Sequence, residues 1–543
     1  MFYELKRQIE YFFKNRIYMI SLVIAAIAGY GYEITHSSLG VDDVCIGLYF
    51  DDGFGVAIGR WPFYVINKIF HVTEFQPFIL EFLAVLILMF AAILWSSLLR
   101  YILGEKLPVA CYAIFSTMFI DYSLIAEVFI FYLQNGVAII YACTGIAAFA
   151  FYYLYTNELE RKQRIWYKFG MSLILSVAIG FYEAAANVFL TGMILIMIVD
   201  CIGKNRMQIR KFKRFFFALF LVGRILLYAI IERSIISKIC MAVYGIEPYG
   251  YRSTSSILRV IKYPGRILTI IRQILRDYVF VGLAYYPIGL FVVASILFVI
   301  MVLTAAIWKK NIYILFLGVI GYGSIFVLSL PQGDALPYRA NLMIALLVAM
   351  VLFALAVLVL KCRSRFVNVL GMIILISVIY NSAFDLNHWF VFDYEKNQSE
   401  LRVVDQVAYD LKKGGYDIEN KPVVFLGTYE LDPAIIKQCS MGQDTPGYST
   451  IKGLNDWMAE TTGERYIYVQ TLSASVIDWA IPGFYNYEGR NKELIKLFEE
   501  RGCQLLWGGR EIYSEALEHE GELSEYPADG YIKEYDDYII VRF

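Results

Sequence analysis

Four carboxylates and one arginine lie close together in residues 40–61, between two long apolar runs. The stretch reads GVDDVCIGLYFDDGFGVAIGRW and contains Asp42, Asp43, Asp51, Asp52 and Arg60. A single aspartate in such a loop is usually only solvated, but four in one short loop weaken that interpretation. Adjacent carboxyl groups raise each other's pKa, which suits one of them to accept a proton near neutral pH. The residue types therefore suit proton transfer, with Arg60 either paired with one of the acids or free to bind an anion.

Further charged residues stand in other polar segments or at the ends of apolar runs. Arg339 lies in a short segment that contains prolines, and a guanidinium can bind two phosphate oxygens at once. A longer segment carries basic residues among isoleucines and leucines at roughly helical spacing: Arg252, Arg259, Lys262, Arg266, Arg272 and Arg276. This pattern is typical of an amphipathic helix on anionic headgroups, and it would also suit a cradle for a lipid phosphate. A charge within an apolar run costs about 2.5–3.5 kcal/mol on insertion scales and so indicates a role. Asp121, Glu127 and Glu183 are predicted to stand at the exterior ends of spans and to face an open cavity.

The composition predicts that a polytopic α-helical membrane protein positions these residues. Of the 543 residues, 59% are hydrophobic and only 18% are charged, which is typical of a chain that spans a bilayer repeatedly. Eleven apolar runs lie at residues 17–32, 78–98, 107–120, 136–155, 169–179, 184–202, 215–231, 286–308, 312–330, 342–360 and 367–382. The runs at 107–120 and 169–179 are short for a hydrocarbon core of about 30 Å, which predicts broken or tilted spans. We expect about 11 transmembrane helices.

Basic residues occupy every second connection between these runs and so predict an orientation. They precede the first run and follow the second, fourth, sixth, eighth and tenth runs. By the positive-inside rule these connections are cytoplasmic. The N-terminus is then inside the cell, the C-terminus is outside, and the exterior segments are residues 33–77, 234–285, 331–341 and everything after about residue 381.

The chain changes character at residue 385, which divides it into a transmembrane domain, 1–384, and a soluble domain, 385–543. Strand-like runs occur at residues 422–427, 465–472 and 536–543, and residues 491–502 form a helical pattern that ends on a glycine. About 150 residues of this kind predict an extracytoplasmic α/β domain. Because this domain has no catalytic motif, recognition or scaffolding is its default role.

The acidic pairs are predicted to lead directly into an amphipathic helix over residues 51–70. Its apolar side chains, Trp61, Phe63, Tyr64, Ile66 and Phe70, can lie in the headgroup plane, where aromatic rings are favoured. Such a helix would hold the carboxylates at the membrane surface.

This arrangement resembles the GtrII family of bacterial glucosyltransferases, which belong to the GT-C class. The resemblance rests on an exterior Asp-Asp after the first span, on Gly-Arg-Trp at the start of an amphipathic helix, and on GFYEAAANVFL at 180–190. The stretch LPYRANLMIAL at 336–346 and the tail YPADGYIKEYDDYIIVRF at 526–543 are similar to the family as well. Glu183 departs from the family, in which a glutamine is expected.

The resemblance implies a transferase in the bacterial cytoplasmic membrane. It would move a hexose, most simply glucose, from a polyprenyl-phosphate carrier to a surface polysaccharide or teichoic-acid-like polymer on the extracytoplasmic face. Asp42 and Asp43 match the family's catalytic pair, whereas Asp51 and Asp52 do not and suit helix capping. Candidate ligands of the donor phosphate are Arg60, Arg339, Arg252 and Arg266, and candidate acceptor or secondary residues are Glu183, Asp121 and Glu127. A divalent cation, Mg²⁺ or Mn²⁺, on Asp42 and Asp43 is left open, and no nucleic-acid partner is expected.

Two other classes of protein remain as alternatives. A flippase or polymerase of surface polysaccharide would also be polytopic and rich in aromatic residues, but it would not need an acidic loop coupled to an amphipathic helix. A non-catalytic envelope scaffold would bind through its C-terminal domain and would tolerate alanine at Asp42 and Asp43.

Overall fold

A computed structural model describes most of the chain. The described residues are 1–36, 38, 54–70, 77–129, 136–247, 263–275, 278, 286–332, 336, 340–427, 429, 494–495 and 497–543.

The described part of the chain is mainly helical up to residue 413. The helices of the first half are α1 (Phe2–Lys14), α2 (Arg16–Thr35), α3 (Phe54–Ala57), α4 (Trp61–Phe70), α5 (Pro77–Leu103), α6 (Val109–Ile120), α7 (Ala126–Phe129), α8 (Val137–Thr156) and α9 (Arg161–Phe181). Those that follow are α10 (Ala185–Ile202), α11 (Phe212–Tyr244), α12 (Arg266–Leu275), α13 (Tyr286–Lys309), α14 (Tyr313–Ser324), α15 (Ser329–Gln332), α16 (Met343–Lys361) and α17 (Arg365–Lys413).

Nine helices within the described residues are long and apolar enough to cross a membrane. They are α2, α5, α8, α9, α10, α11, α13, α16 and α17. Two shorter apolar helices, α6 and α14, coincide with two further predicted runs. The multi-pass helical architecture is therefore confirmed, whereas the total of about eleven spans stays a prediction.

The two runs predicted to be short behave differently. The third run forms α6, which ends at Ile120 and is followed by a 3₁₀ turn, Ser123–Ile125, so this span is indeed broken. The fifth run lies in an unbroken helix, because α9 begins at Arg161, where Glu160 and Gln163 form a capping box, and continues to Phe181. A capped helix can extend through polar residues beyond the apolar run, so this span is not broken, and its tilt stays a prediction.

Large aromatic side chains fill the core of the bundle. Trp95 on α5 is fully buried and donates its indole N–H to the carbonyl oxygen of Tyr141 on α8, at 3.2 Å. The Tyr141 hydroxyl in turn donates to the carbonyl oxygen of Leu342, which precedes α16, at 2.7 Å. We call the end of the bundle at which α2 ends, at Thr35, the loop end.

Helix α17 joins the bundle to the C-terminal domain. Its 49 residues extend about 74 Å at 1.5 Å per residue and continue through residue 385, where the composition changes. The first part packs on α2 and α16. The last part contributes Val404, Val407 and Leu411 to the core of the C-terminal domain.

The C-terminal domain contains a three-stranded sheet in the order β1–β3–β2, with β1 at Val423–Leu426, β2 at Ile532–Glu534 and β3 at Ile539–Arg542. Strand β3 pairs in parallel with β1 and antiparallel with β2. Helix α18 (Gly509–Glu518) packs against β1. The strands predicted at 422–427 and 536–543 are confirmed, and the described residues of the predicted helix at 491–502 are helical up to residue 500, with Gly502 beyond its end at φ +75°. The strand predicted at 465–472 lies outside the described residues.

Candidate functional site

The structure describes four of the predicted site residues in full. Arg60, Asp121, Glu183 and Arg266 lie at the loop end of the bundle or in the segments that leave it. Five other residues fall at least partly outside the description: Asp42, Asp43, Arg252 and Arg339 are not described, and Glu127 is described only in its backbone, in α7. The site geometry therefore rests on the described residues that flank, in the sequence, the predicted acidic loop at residues 40–53.

The predicted amphipathic helix is broken by a tight turn. Helix α3 ends at Ala57 and α4 begins at Trp61, so the prediction of one helix through residue 60 was wrong. Gly59 causes the break, because it adopts φ +90°, a left-handed backbone conformation that favours glycine. We call the segment from Phe54 to Phe70 the corner.

The first turn of α4 is seated against the end of α9. The Phe63 and Phe181 rings meet edge to face, with centroids 5.0 Å apart. A Cβ on Gly180 would lie 2.8 Å from Pro62 and 2.9 Å from the Trp61 indole nitrogen. The absence of a side chain at Gly180 therefore lets α4 approach α9 closely.

Arg233, on α11, ties the corner to the rest of the loop end. Its Nε donates to the carbonyl oxygen of Gly59 at 3.1 Å, and its Nη2 donates to that of Ile58 at 3.2 Å. The same Nη2 forms an ion pair with Glu183 at 2.9 Å. One helical turn further along α11, the Ser237 hydroxyl donates to the carbonyl oxygen of Val56 at 3.0 Å. There is thus a second reason for glycine at position 59, because a Cβ there would overlap the Arg233 guanidinium.

Arg60 lies on the other side of the turn, next to the beginning of α4. Its guanidinium carbon is 5.1 Å from the centroid of the Tyr182 ring, a cation–π contact. Tyr182 and Glu183 form the short link between α9 and α10, so the two adjacent residues contact Arg60 and Arg233 respectively. The positive end of the α4 dipole adds to the charge of Arg60. The corner therefore presents positive charge of the kind that stabilises a phosphate.

The start of the acidic loop is held by α17. The Ser38 hydroxyl hydrogen-bonds the Asp393 carboxylate, and Lys396 lies 3.8 Å from the same carboxylate. His36, two residues before Ser38, stacks on Tyr32 with ring centroids 4.2 Å apart and contacts Tyr394 edge to face. Asp42 follows Ser38 by four residues in the sequence and lies outside the described residues.

Asp121 lies at a different position, between α2, α6 and α17. It is 1% exposed, and within the described residues neither carboxylate oxygen has a hydrogen-bond partner. Its neighbours are tied by the Tyr30 hydroxyl, which donates to the carbonyl oxygen of Ile120 at 2.6 Å, and by the Ser382 hydroxyl, which donates to that of Asp121 at 2.8 Å. This burial does not favour the expectation that Asp121 faces an open cavity.

Arg266 begins α12, an amphipathic helix that buries Ile270 and exposes Leu268. Tyr278 follows α12 by three residues, and its hydroxyl accepts a hydrogen bond from the amide of the buried Asn341. Asn341 stands two residues after Arg339. This hydrogen bond brings the segment that follows α12 to the segment that carries Arg339.

Sequence reasoning missed Arg233, Tyr182 and Asp393. Arg233 stands between the apolar run that ends at residue 231 and the exterior segment predicted from residue 234, whereas the helix continues through it to Tyr244. Within the described part of the chain no three His, Cys, Asp or Glu side chains are grouped to hold a metal ion. The option of a divalent ion on Asp42 and Asp43 lies outside that part.

Comparison with known proteins identifies a family that the chain matches. A family model described as Glucosyl transferase GtrII matches residues 31–358, which is more than half of the chain. The match runs from the end of α2 into α16 and includes the acidic loop, the corner and Arg233. No curated protein and no solved structure matches the chain. The tail at 526–543 lies beyond the matched residues, so its similarity to the family stays a prediction. The match confirms the family that the motifs between residues 42 and 346 indicated, and the chain belongs to the GtrII family of glucosyl transferases.

Proposed function

We propose that the protein transfers glucose from a polyprenyl-phosphate carrier to a surface polysaccharide or teichoic-acid-like polymer, on the extracytoplasmic face of a bacterial cytoplasmic membrane. The observation that carries the proposal is the corner, which holds Arg60 over Tyr182 at the loop end, directly after the acidic loop. Such a reaction needs a cation that binds the donor phosphate and a carboxylate that acts as the base. The chain carries an arginine and aspartates in one segment between α2 and α4.

The acidic pair is the proposed source of the base. Asp42 or Asp43 takes the proton from an acceptor hydroxyl while the hydroxyl oxygen bonds to the anomeric carbon of the hexose. The bond between that carbon and the phosphate oxygen breaks, and polyprenyl phosphate leaves with the negative charge. The second aspartate tunes the base or holds the acceptor, and Asp43 is the preferred base because it is one residue nearer the corner in the sequence.

Arginines are the proposed ligands of the departing phosphate. Arg60 acts from the corner, and Arg339 acts from the segment before α16 with its bidentate fork. Arg252 and Arg266 contribute from the basic segment around α12, where they also hold the carrier's headgroup region. The hydrogen bond between Asn341 and Tyr278 supports this grouping, because it links the two segments in which Arg339 and Arg266 reside.

The remaining candidates have secondary roles in the proposal. Glu183 is ion-paired with Arg233, so it acts through the position of the corner and not through the acceptor hydroxyl. Asp121 and Glu127, which stand where α6 ends and α7 begins, are the proposed secondary residues on the acceptor side. A divalent cation on Asp42 and Asp43 stays a prediction, for which metal dependence of transfer is the measurement.

Replacement of the acidic pair tests the proposal. Asp42→Asn and Asp43→Asn should each leave the protein inserted and folded, while the more damaging of the two lowers transfer by about 10²–10⁴-fold, the usual effect of a general base. The assay is the incorporation of radiolabelled glucose from the carrier into polymer in membranes that contain matched amounts of protein. Asp51→Asn and Asp52→Asn are matched controls and should stay near the wild-type rate. Normal transfer in both Asp42→Asn and Asp43→Asn would reject the transferase mechanism in favour of transport or scaffolding.

A further inference from the structure

Arg233 connects three separate elements at the loop end. It lies on α11, it donates hydrogen bonds to the turn between α3 and α4, and it forms an ion pair with the link between α9 and α10. The acceptor carbonyl of Gly59 is 174 residues away in sequence. We propose that Arg233 is a positioning residue for glucosyl transfer, because it fixes the corner and thereby places Arg60 at the donor phosphate. The effect on rate rests on the proposed function, whereas the effect on the corner can be measured independently of it.

The geometry requires an arginine and not merely a positive charge. Nε and Nη2 point at two consecutive carbonyl oxygens, those of Gly59 and Ile58, while Nη2 also reaches the Glu183 carboxylate. A lysine ammonium lacks the rigid planar fork that addresses these acceptors together. The side chains of Arg233 and Glu183 are only 18% and 27% exposed, so water screens their attraction less than it would on an open surface.

The same geometry argues against Arg233 as a phosphate ligand. Two of its nitrogens are occupied by three protein acceptors, and the Glu183 carboxylate offsets its charge. Arg60 is oriented differently and lies over the Tyr182 ring. Because Tyr182 and Glu183 are adjacent, loss of the ion pair loosens both the turn that carries Arg60 and the ring beneath it.

A native cysteine reports whether the corner is seated. Cys240 follows Arg233 by two helical turns on α11, is 9% exposed, and packs with Val56 and Tyr64 of the corner. If the corner lifts from α11, the Cys240 thiol becomes accessible to a reagent. Local opening of this kind is governed by the contacts of the moving segment and not by the stability of the whole bundle.

The experiment measures Cys240 and transfer in the full-length protein in membranes. Modification of Cys240 by N-ethylmaleimide is followed by mass spectrometry, and the KM for polyprenyl-phosphate glucose and the kcat are measured on the same preparations. Arg233→Ala should raise the modification rate by about 10- to 30-fold, as expected for loss of charge-assisted hydrogen bonds in a half-buried site. It should also raise the KM for the donor by about 10-fold.

Three further variants make the result specific. Arg233→Lys should give intermediate values, because it keeps the charge and loses the fork. Glu183→Gln, which removes only the charge of the partner, should raise Cys240 modification several-fold and serves if Arg233→Ala fails to accumulate. Lys238→Ala removes an exposed cation from the same helix and should match the wild type.

The outcomes separate the inference from the proposed function. Unchanged Cys240 modification in Arg233→Ala and Glu183→Gln would overturn the positioning role, whatever happens to transfer. Faster modification with wild-type KM and kcat would also overturn it, because the corner would then move without consequence for the donor. If the wild type itself transfers no glucose from the carrier, the proposed function fails, and the modification rates alone decide whether Arg233 seats the corner.

Discussion

The packing of α4 against α9 can be tested by making the same substitution, glycine to alanine, at two positions of α9. Gly180→Ala adds a methyl group where Pro62 would be 2.8 Å away, whereas ordinary van der Waals contact begins at 3.4 Å. The proline ring is closed onto its own backbone and cannot rotate aside, so α4 would have to retreat by about 0.6 Å. Overpacking of this size costs about 1–3 kcal/mol. Gly170→Ala is the matched control, because no atom lies within 4 Å of the added Cβ.

The displacement should be visible in the rate of transfer. A misplacement of about 1 Å at a catalytic group can lower a rate by up to about 10²-fold, so we expect Gly180→Ala to lose about 10- to 100-fold. Gly170→Ala should keep the wild-type rate and gain up to about 1 kcal/mol in helix propensity. The assay is glucose incorporation at matched protein levels in membranes. A wild-type rate in Gly180→Ala would refute the idea that contact between α4 and α9 sets the position of Arg60.

Two other predictions concern Arg339 and the C-terminal domain. Arg339→Lys keeps the charge but loses the bidentate fork, so use of the carrier should weaken by about 10-fold without a folding defect; a wild-type KM in Arg339→Lys and Arg339→Ala would exclude it from the site. Hydrogen bonds from Lys533, His519 and Tyr535 lower the pKa of Glu522 from 4.5 to about 2. Because the folded pKa is the lower one, this cluster stabilises the domain above about pH 4.5, and the stabilisation is lost as the pH falls towards 2. Pepsin cleavage of the full chain should therefore rise more steeply with acid in the wild type than in Glu522→Gln, and equal profiles would contradict the assignment.

The multi-pass architecture was determined by the sequence, and so were the strands at both ends of the C-terminal domain. Hydrophobic length and period are local properties, so each apolar run specifies its helix without reference to its neighbours. The resemblance to the GtrII family could likewise be inferred from short motifs such as Gly-Arg-Trp, because their residues are consecutive. The sequence did not explain why the motif begins with glycine, since this depends on the Arg233 side chain that lies against Gly59.

Only the tertiary structure decided which polar groups meet. Arg233 binds Glu183 and the turn at Gly59, Ser38 binds Asp393, and Asp121 is buried between helices instead of facing an open cavity. Ser38 and Asp393 are 355 residues apart. Such contacts depend on the rotation and register of packed helices, which are set by the fit of many side chains across the bundle. The period of a single helix identifies its apolar face, but it does not say which charge on another helix will lie opposite a given residue.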